Sequence, residues 1–230
     1  MDRAEFDKFA EEYRALHAAN IRASGESPEF FAEYKIADIA ARCHSAGLAP
    51  ARILDFGGGT GASAPYLRHF FPEARLTIAD VSEKSLDIAR ARGVEGLDCL
   101  AFDGRRLPFE QGTFEAGLAA CVFHHIPEQA HGPLLAEIRR VLAPQGRFWI
   151  FEHNPLNPLT VRAVNTCPFD ENALLIRANV LRQRMEAAGF TVARVAYRIF
   201  FPHALARLRP LEPWLTHIPF GAQYYVEATP

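Results

Sequence analysis

Cysteine is scarce in this 230-residue chain: there are four, Cys43, Cys99, Cys121 and Cys167, and no two form a CxxC pair. This spacing argues against a disulfide framework and against a structural zinc site. Three of the four lie inside apolar runs, where a buried free thiol is the expected state. Long apolar runs are also missing. No stretch approaches the ~20 residues that a membrane-spanning helix needs, and the first twenty residues are charged and amphipathic, unlike a signal peptide. The expected compartment is the cytoplasm, with no integral membrane association. Charge of one sign is not in excess either: 25 Lys and Arg against 27 Asp and Glu leave a net charge of -2. A nucleic-acid partner held by counterion release needs a basic face that this balance does not supply. No internal repeat or low-complexity linker interrupts the chain. What remains is ordinary globular composition, 49% hydrophobic and 23% charged, in a length that suits one domain.

Hydrophobic periodicity divides the chain in three. Residues 3–20 place Phe6, Phe9, Tyr13, Leu16 and His17 at helical spacing, and a second helix is expected from Pro28 to about His44. Apolar runs then alternate with helical patterns. Strands are expected at Arg52–Phe56, Arg75–Ala79, Leu97–Phe102, Phe114–Cys121 and Gly146–Phe151. The helices between them are Ala62–Phe71, one from the Ser82 cap to Arg92, and Glu128–Leu142. Such alternation implies a parallel sheet covered on both faces. The last third reads as a helix over Glu171–Ala188 stopped by Gly189, a strand over Thr191–Phe200, a proline-rich stretch at 202–219, and a final strand over Ala222–Ala228. The two late strands are expected to pair antiparallel at the sheet edge. The fold class is therefore α/β: a Rossmann-like seven-stranded sheet, mostly parallel with an antiparallel last strand. Residues 1–48 are expected to form an N-terminal helical cap on a domain spanning 49–230.

The strongest local pattern is Asp55-Phe56-Gly57-Gly58-Gly59-Thr60-Gly61, directly after a strand and before a helix. Glycine lets the backbone turn sharply and approach a ligand, and the following helix offers free amides at its positive end. Gly57, Gly59 and Ala62 also satisfy the GxGxxG/A dinucleotide fingerprint, with Asp80 where a ribose-binding acid belongs. An NAD(P)-dependent oxidoreductase is thus one reading. What distinguishes the pattern is three acids near three successive strand ends: Asp55, then Asp80 25 residues on, then Asp103 23 further. Asp55 is suited to hold the glycine loop through its amides and to position the cationic methionine end of S-adenosylmethionine (SAM). Asp80 is suited to accept ribose hydroxyls. Asp103 is suited to accept the adenine amine, with Phe102 packing on the ring. Each alone is a common helix cap or turn residue; together they face the edge where such folds bind ligands.

On these residues the chain resembles the class I SAM-dependent methyltransferases, and within them the ubiquinone/menaquinone-type small-molecule subgroup. Ile53–Ser63 looks like the family's first motif, and Ile78–Leu86 like its second-strand acidic motif. Phe102-Asp103-Gly104 followed by Leu107-Pro108-Phe109 is similar to the third, Phe114–Ile126 to the fourth, and Ile138–Phe151 to the segment after it. The resemblance covers roughly residues 50–153. It implies SAM as cofactor and places Gly57 and Gly59 against methionine and ribose, Asp80 on the ribose, and Val81 beside adenine. Phe102, Asp103 and Gly104 would bound the base, and the Ala119 backbone would meet the methionine ammonium. Two positions depart from the family pattern. Glu115-Ala116 stands where Asp followed by a larger apolar residue is common, and Ala119-Ala120 replaces a frequent polar pair.

Methyl transfer from a sulfonium needs positioning and desolvation of the nucleophile, with a base only where the acceptor loses a proton. His124, His125 and His153 are the base candidates, against a role in packing or loop geometry. Glu152 and Asn154 flank the same edge and are candidates to touch the acceptor. No metal site is expected. The segment Phe200–Phe220 aligns Phe201, Leu205, Leu208, Leu211 and Leu215 near one face of a helix. It is read as packing between the last two strands, with a lid over an apolar or lipid-linked acceptor as the alternative. Tyr13 and Tyr34 are candidates to cap the cofactor pocket. The functional reading is transfer of a methyl group from SAM to an O, N or C atom of a small metabolite. The oxidoreductase and a catalytically silent SAM-binding protein are its rivals.

Overall fold

The structure, a computed structural model, describes residues 20–168 and 172–230. The helix expected over 3–20, with Tyr13, lies outside the described residues. The first long helix is α1, Pro28–Ser45. It starts where Ser27 accepts the Phe30 N–H at 3.3 Å and a proline fills the first turn. The alternating core follows: β1 (Arg52–Phe56), α2 (Ala64–Phe70), β2 (Arg75–Asp80), α3 (Glu83–Ala91), β3 (Leu97–Ala101), β4 (Phe114–Ala120), α4 (Glu128–Val141) and β5 (Leu142–His153). The chain ends with α5 (Pro158–Asn165), α6 (Ala178–Ala187), β6 (Thr191–Arg198), α7 (Glu212–Leu215) and β7 (Gln223–Thr229). The expected N-cap at Ser82 is present, accepting the Ser85 N–H at 3.2 Å.

The seven strands form one sheet in the order β3-β2-β1-β4-β5-β7-β6. The pairs β1–β2, β1–β4, β2–β3 and β4–β5 are parallel, whereas β7 is antiparallel to both β5 and β6. The strand order reverses between β1 and β4. At such a switch point the loops leave in opposite directions and open a crevice at the carboxyl ends of the strands.

Period-two alternation decides which side chains each face buries. Leu54, Phe56, Phe148, Ile150, Tyr224 and Val226 share a cluster with Ile138 of α4 and Leu181 and Met185 of α6. Their neighbours Ile53, Trp149, Phe151 and Tyr225 point the other way and pack with Ile36, Ile39 and Cys43 of α1 and Leu67 of α2. Helix α1 therefore lies flat on one sheet face. The buried Glu227 anchors it further, accepting from Arg42 at 2.7 Å and from Arg147. Among the described residues no helix is long and apolar enough to cross a membrane.

Three expectations need correction. The helix expected over Glu171–Ala188 starts only at Ala178; residues 173–177 have no regular secondary structure, and Glu171 lies outside the described residues. There the backbone bonds elsewhere, Leu174 N–H to the His124 carbonyl at 2.8 Å and the Ile176 carbonyl to the Tyr224 hydroxyl at 2.7 Å. The segment Phe200–Phe220 is not a packing helix. His203–Leu211 is a 3₁₀ helix in which no side chain is buried, and Leu205, Leu208, Leu211, Trp214 and Phe220 are exposed. Its apolar spacing had a helical period, but Pro202, Pro210 and Pro213 deny it a continuous α-helical ladder. Finally, β3 stops at Ala101, so Phe102 and Asp103 lie just beyond the strand.

Candidate functional site

The glycine turn leaves β1 at the switch point. Gly57 N–H bonds the Ala79 carbonyl at 2.8 Å, which ties the loop to the end of β2. Gly57 has φ +70°, and a Cβ there would meet Val122 Cγ1 at 2.6 Å, so both backbone conformation and space exclude a side chain. Gly59, at φ +51°, is different: a Cβ would find nothing nearer than Asp80 Oδ2 at 3.9 Å. The loop is filled beneath Gly57 and open above Gly59.

The two acids at the ends of β1 and β2 exchange one expected role. Asp80, not Asp55, holds the loop: its Oδ2 accepts the Gly59 N–H and its Oδ1 the Ser82 N–H, both at 2.9 Å. Asp55 lies under the loop, where a Cβ on Gly58 would fall 2.7 Å from its carboxyl carbon. It is buried, and among the described residues neither of its carboxyl oxygens has a hydrogen-bond partner. Burial, reinforced by the charge of Asp80, pushes its pKa up to about 7.

The base-side residues gather as expected, with one displacement. Phe102 packs on Phe56 at 5.5 Å between ring centres and shares a core cluster with Val81 and Leu107. A Cβ on Gly104, at φ +75°, would lie 3.5 Å from Val81 Cγ1. Asp103 is exposed and accepts the Arg105 and Arg106 N–H groups at 2.8 Å each; these bonds hold its carboxyl below the usual range. Ala119 is buried near the end of β4, beside Ile150 of β5.

The three histidines stand together, but not on equal terms. His124 is buried and its Nδ1 lies 2.5 Å from Glu152 Oε2. Glu152 Oε1 accepts the Phe123 N–H at 2.8 Å. Burial alone would raise the Glu152 pKa, yet the charge and hydrogen bond of His124, with help from His153, hold it below its ordinary value. His125 and His153 are half-buried, with ring centres 4.1 and 5.2 Å from that of His124. Glu152 and Asn154 do not reach outward to an acceptor. Both are fully buried, and Asn154 spends its amide on the Pro219 and Gly221 carbonyls at 3.1 and 2.8 Å.

Residues that sequence reasoning passed over complete this edge. Tyr34, which it did single out, donates its hydroxyl to Gln223 Oε1. The Gln223 amide nitrogen lies 3.4 Å from His153 Nδ1 and 3.9 Å from Cys121 Sγ. Cys121 follows β4 at φ +59°, uncommon for a residue with a Cβ. Lys35, next to Tyr34, is buried on α1. Its signal was present: Phe31, Lys35 and Ile39 recur every fourth residue, so a lysine occupies the stripe that faces the sheet.

Comparison with known proteins now bears on this geometry. Residues 54–150, which contain the glycine loop and Asp55, Asp80 and Asp103, match the family described as methyltransferase domain. Over this segment the chain is similar to that family. The chain is 40% identical over 111 residues to the demethylmenaquinone methyltransferase of Thermus thermophilus, covering 46% of this chain and 49% of that one. It is 37% identical over 105 residues to the malonyl-[acyl-carrier protein] O-methyltransferase of Geobacter sulfurreducens, covering 44% and 38%. The chain thus spans about half or less of the length of these curated relatives. The likeness of fold extends further. A SAM-dependent methyltransferase of Thermotoga maritima, described as a possible histamine N-methyltransferase, superposes with a TM-score of 0.67 over 99% of this chain and 98% of that one, at 19% identity. The matched segment includes the glycine loop, whereas Tyr34, Lys35, Glu152, His153 and Gln223 lie outside it.

Proposed function

We propose that the chain transfers the methyl group of SAM to a small-molecule acceptor, and that Asp55, Gly57, Gly59, Asp80, Val81, Phe102, Asp103, Gly104 and Ala119 hold the cofactor. The observation that carries this reading is the unpartnered carboxyl of Asp55 beneath the loop. A buried acid with two unmet oxygens lacks a donor or a cation, and SAM brings both an ammonium and a sulfonium. The open space above Gly59 lets backbone amides approach a ligand, and Asp80 at its rim presents a carboxylate to ribose. The dinucleotide reading explains the glycines but leaves Asp55 in an unfavourable place, since a nicotinamide cofactor offers a pyrophosphate to this loop.

In the reaction SAM supplies an activated methyl group and an intrinsically good leaving group. The chain's part is to orient the acceptor and exclude water. Its histidines divide by their partners. With Glu152 accepting from Nδ1–H, His124 in its neutral form would offer Nε2 as a proton acceptor, which suits it to be a base. His153 is the reverse: the Gln223 amide nitrogen lies 3.4 Å from its Nδ1, an arrangement that suits the tautomer with the proton on Nε2 and so a hydrogen-bond donor. His125, its ring tilted against that of His124, is the third candidate. Residues 1–48 are proposed as the cap over this edge, with Tyr34 as one of its anchors.

Isothermal titration tests the reading. SAM and S-adenosylhomocysteine should bind at micromolar concentration and raise the melting temperature, while NADH does neither. Asp80→Ala, which removes both the loop anchor and the proposed ribose contact, should weaken S-adenosylhomocysteine by 30-fold or more (~2 kcal/mol). No affinity of the intact chain for either compound would end the proposal.

A further inference from the structure

Lys35 stands where a cation is costly. It is 6% exposed, and its ammonium makes one hydrogen bond, to the Phe31 carbonyl at 2.9 Å, with the Tyr34 ring 5.0 Å away. Among the described residues no carboxylate pairs with it. Burial lowers its pKa, and the charges that act against this are those of Cys121 and Glu152. These residues sit at the exits of β4 and β5, which places the ammonium over the carboxyl edge of the sheet, on the β4 side of the switch point. Glu152 does not pair with it: one oxygen lies 2.5 Å from His124 Nδ1, the other accepts the Phe123 N–H, and the ammonium bonds the Phe31 carbonyl instead. A buried ammonium with one carbonyl for company has lost its hydration and recovered little of it. Tyr34 beside it is held in place through Gln223 and an edge-on contact with Phe151, at 6.2 Å between ring centres. The missing component of this arrangement is an anion, and the proposed cofactor is a cation bound on the other side of the crevice.

Building on the methyltransferase reading, we propose that the acceptor carries an acidic oxygen, a carboxylate or an ionised phenol or enol, and that Lys35 is the residue that binds it, with Tyr34 as the adjoining aromatic wall. This goes beyond the matched domain, because both residues lie on α1. The relatives share the cofactor segment with this chain, and the acceptor's class is set by what α1 brings to it. An anionic acceptor also suits the chemistry: a negative oxygen held beside a sulfonium is either the nucleophile itself or the group that makes an adjacent carbon nucleophilic.

The experiment uses the full chain saturated with S-adenosylhomocysteine. It is titrated with matched pairs of small aromatic and aliphatic compounds: carboxylates against their amides, and phenols against their methyl ethers. At least one acid should bind 10-fold or more tightly than its neutral partner, and whether carboxylates or phenols show this identifies the source of the oxygen. Lys35→Met should erase the preference and leave affinity for S-adenosylhomocysteine within threefold; Lys35→Arg, which keeps the charge, should retain it. Replacing a buried unpaired cation by Met is expected to preserve or raise the melting temperature, and Lys35→Arg decides the question should the Met variant not fold. If no acid binds better than its neutral partner, or if the preference survives in Lys35→Met, the inference fails while the cofactor reading stands. If the intact chain does not bind S-adenosylhomocysteine at all, the parent reading fails and takes this one with it.

Discussion

The two sides of the carboxyl edge are built in different ways. On the β1–β2–β3 side the functional groups are mostly backbone: glycine amides, a turn tied to the Ala79 carbonyl, and short-range carboxylates such as Asp80 reaching Gly59. On the β4–β5–β7 side they are side chains brought together from distant parts of the chain, such as Tyr34 and Gln223, which are 189 positions apart. A site made of backbone constrains the local sequence, since only glycine fits at Gly57. A site made of side chains constrains pairs, and either member can change if the other compensates. The first side falls wholly within the matched segment, whereas Tyr34, Glu152, His153 and Gln223 of the second lie outside it.

If the second side depends on pairs, breaking one should cost stability more than it costs cofactor binding. Glu152→Ala strands the buried His124 and the Phe123 N–H together. Loss of one member of a buried pair typically costs about 3–5 kcal/mol, the largest effect expected here. Chemical denaturation should read that loss, while titration with S-adenosylhomocysteine shows an affinity within threefold of the parent. A stability loss under ~1 kcal/mol would mean that His124 and Glu152 do not depend on each other, and the contrast between the two sides would weaken.

The first side is sharpened by pH. Asp55 has a folded pKa of about 7 against 3.8 for the unbound group, so the folded chain holds a proton there that the unfolded chain releases near pH 4. Its contribution to stability is therefore greatest at low pH and falls as pH rises from about 4 to 7, at a slope of at most ~1.4 kcal/mol per pH unit. Above 7 it declines no further. Asp55→Asn should flatten that segment of the stability profile. A cationic ligand pulls the acid back toward ionisation, so binding of SAM near pH 6.5 should release a proton, seen as a dependence of the binding enthalpy on buffer ionisation heat. Asp55→Asn should abolish it. A profile equally steep in both proteins would detach Asp55 from the site.

How much of this was legible in the sequence follows the same division. The parallel core, the Ser82 cap, the glycine loop and the acids could be read because local rules govern them: period two in strands, capping by serine, glycine at positive φ. The exchange of roles between Asp55 and Asp80 could not, because it depends on which carboxylate the folded loop turns toward. The Glu171–Ala188 helix was over-extended for a similar reason. Residues 173–177 obey helical periodicity, but the Leu174 amide and the Ile176 carbonyl find partners in the 3₁₀ turn after β4 and in β7. Tertiary hydrogen bonds outweighed a weak local preference. Glu152 and Asn154, expected at the surface of the site, are instead the buried struts that hold its loops. Lys35 was visible as a charge in an apolar stripe, yet only the fold shows that no acid among the described residues pairs with it.

The smallest effect expected belongs to the segment where sequence and structure differ most. Had Leu205, Leu208 and Leu211 formed a packed helix, truncating one would cost about 2–5 kcal/mol. In the structure Leu208 is 40% and Trp214 71% exposed, so Leu208→Gln and Trp214→Ser should each change stability by less than ~0.5 kcal/mol. S-adenosylhomocysteine affinity should not change either, because the segment does not contribute to the glycine loop. The variants thereby separate two explanations for an apolar stripe at helical period. A loss of several kcal/mol would restore the packing role in solution. Unchanged stability would leave these side chains unused by the folded core, and any altered turnover in the same variants would then have to arise on the acceptor side of the edge.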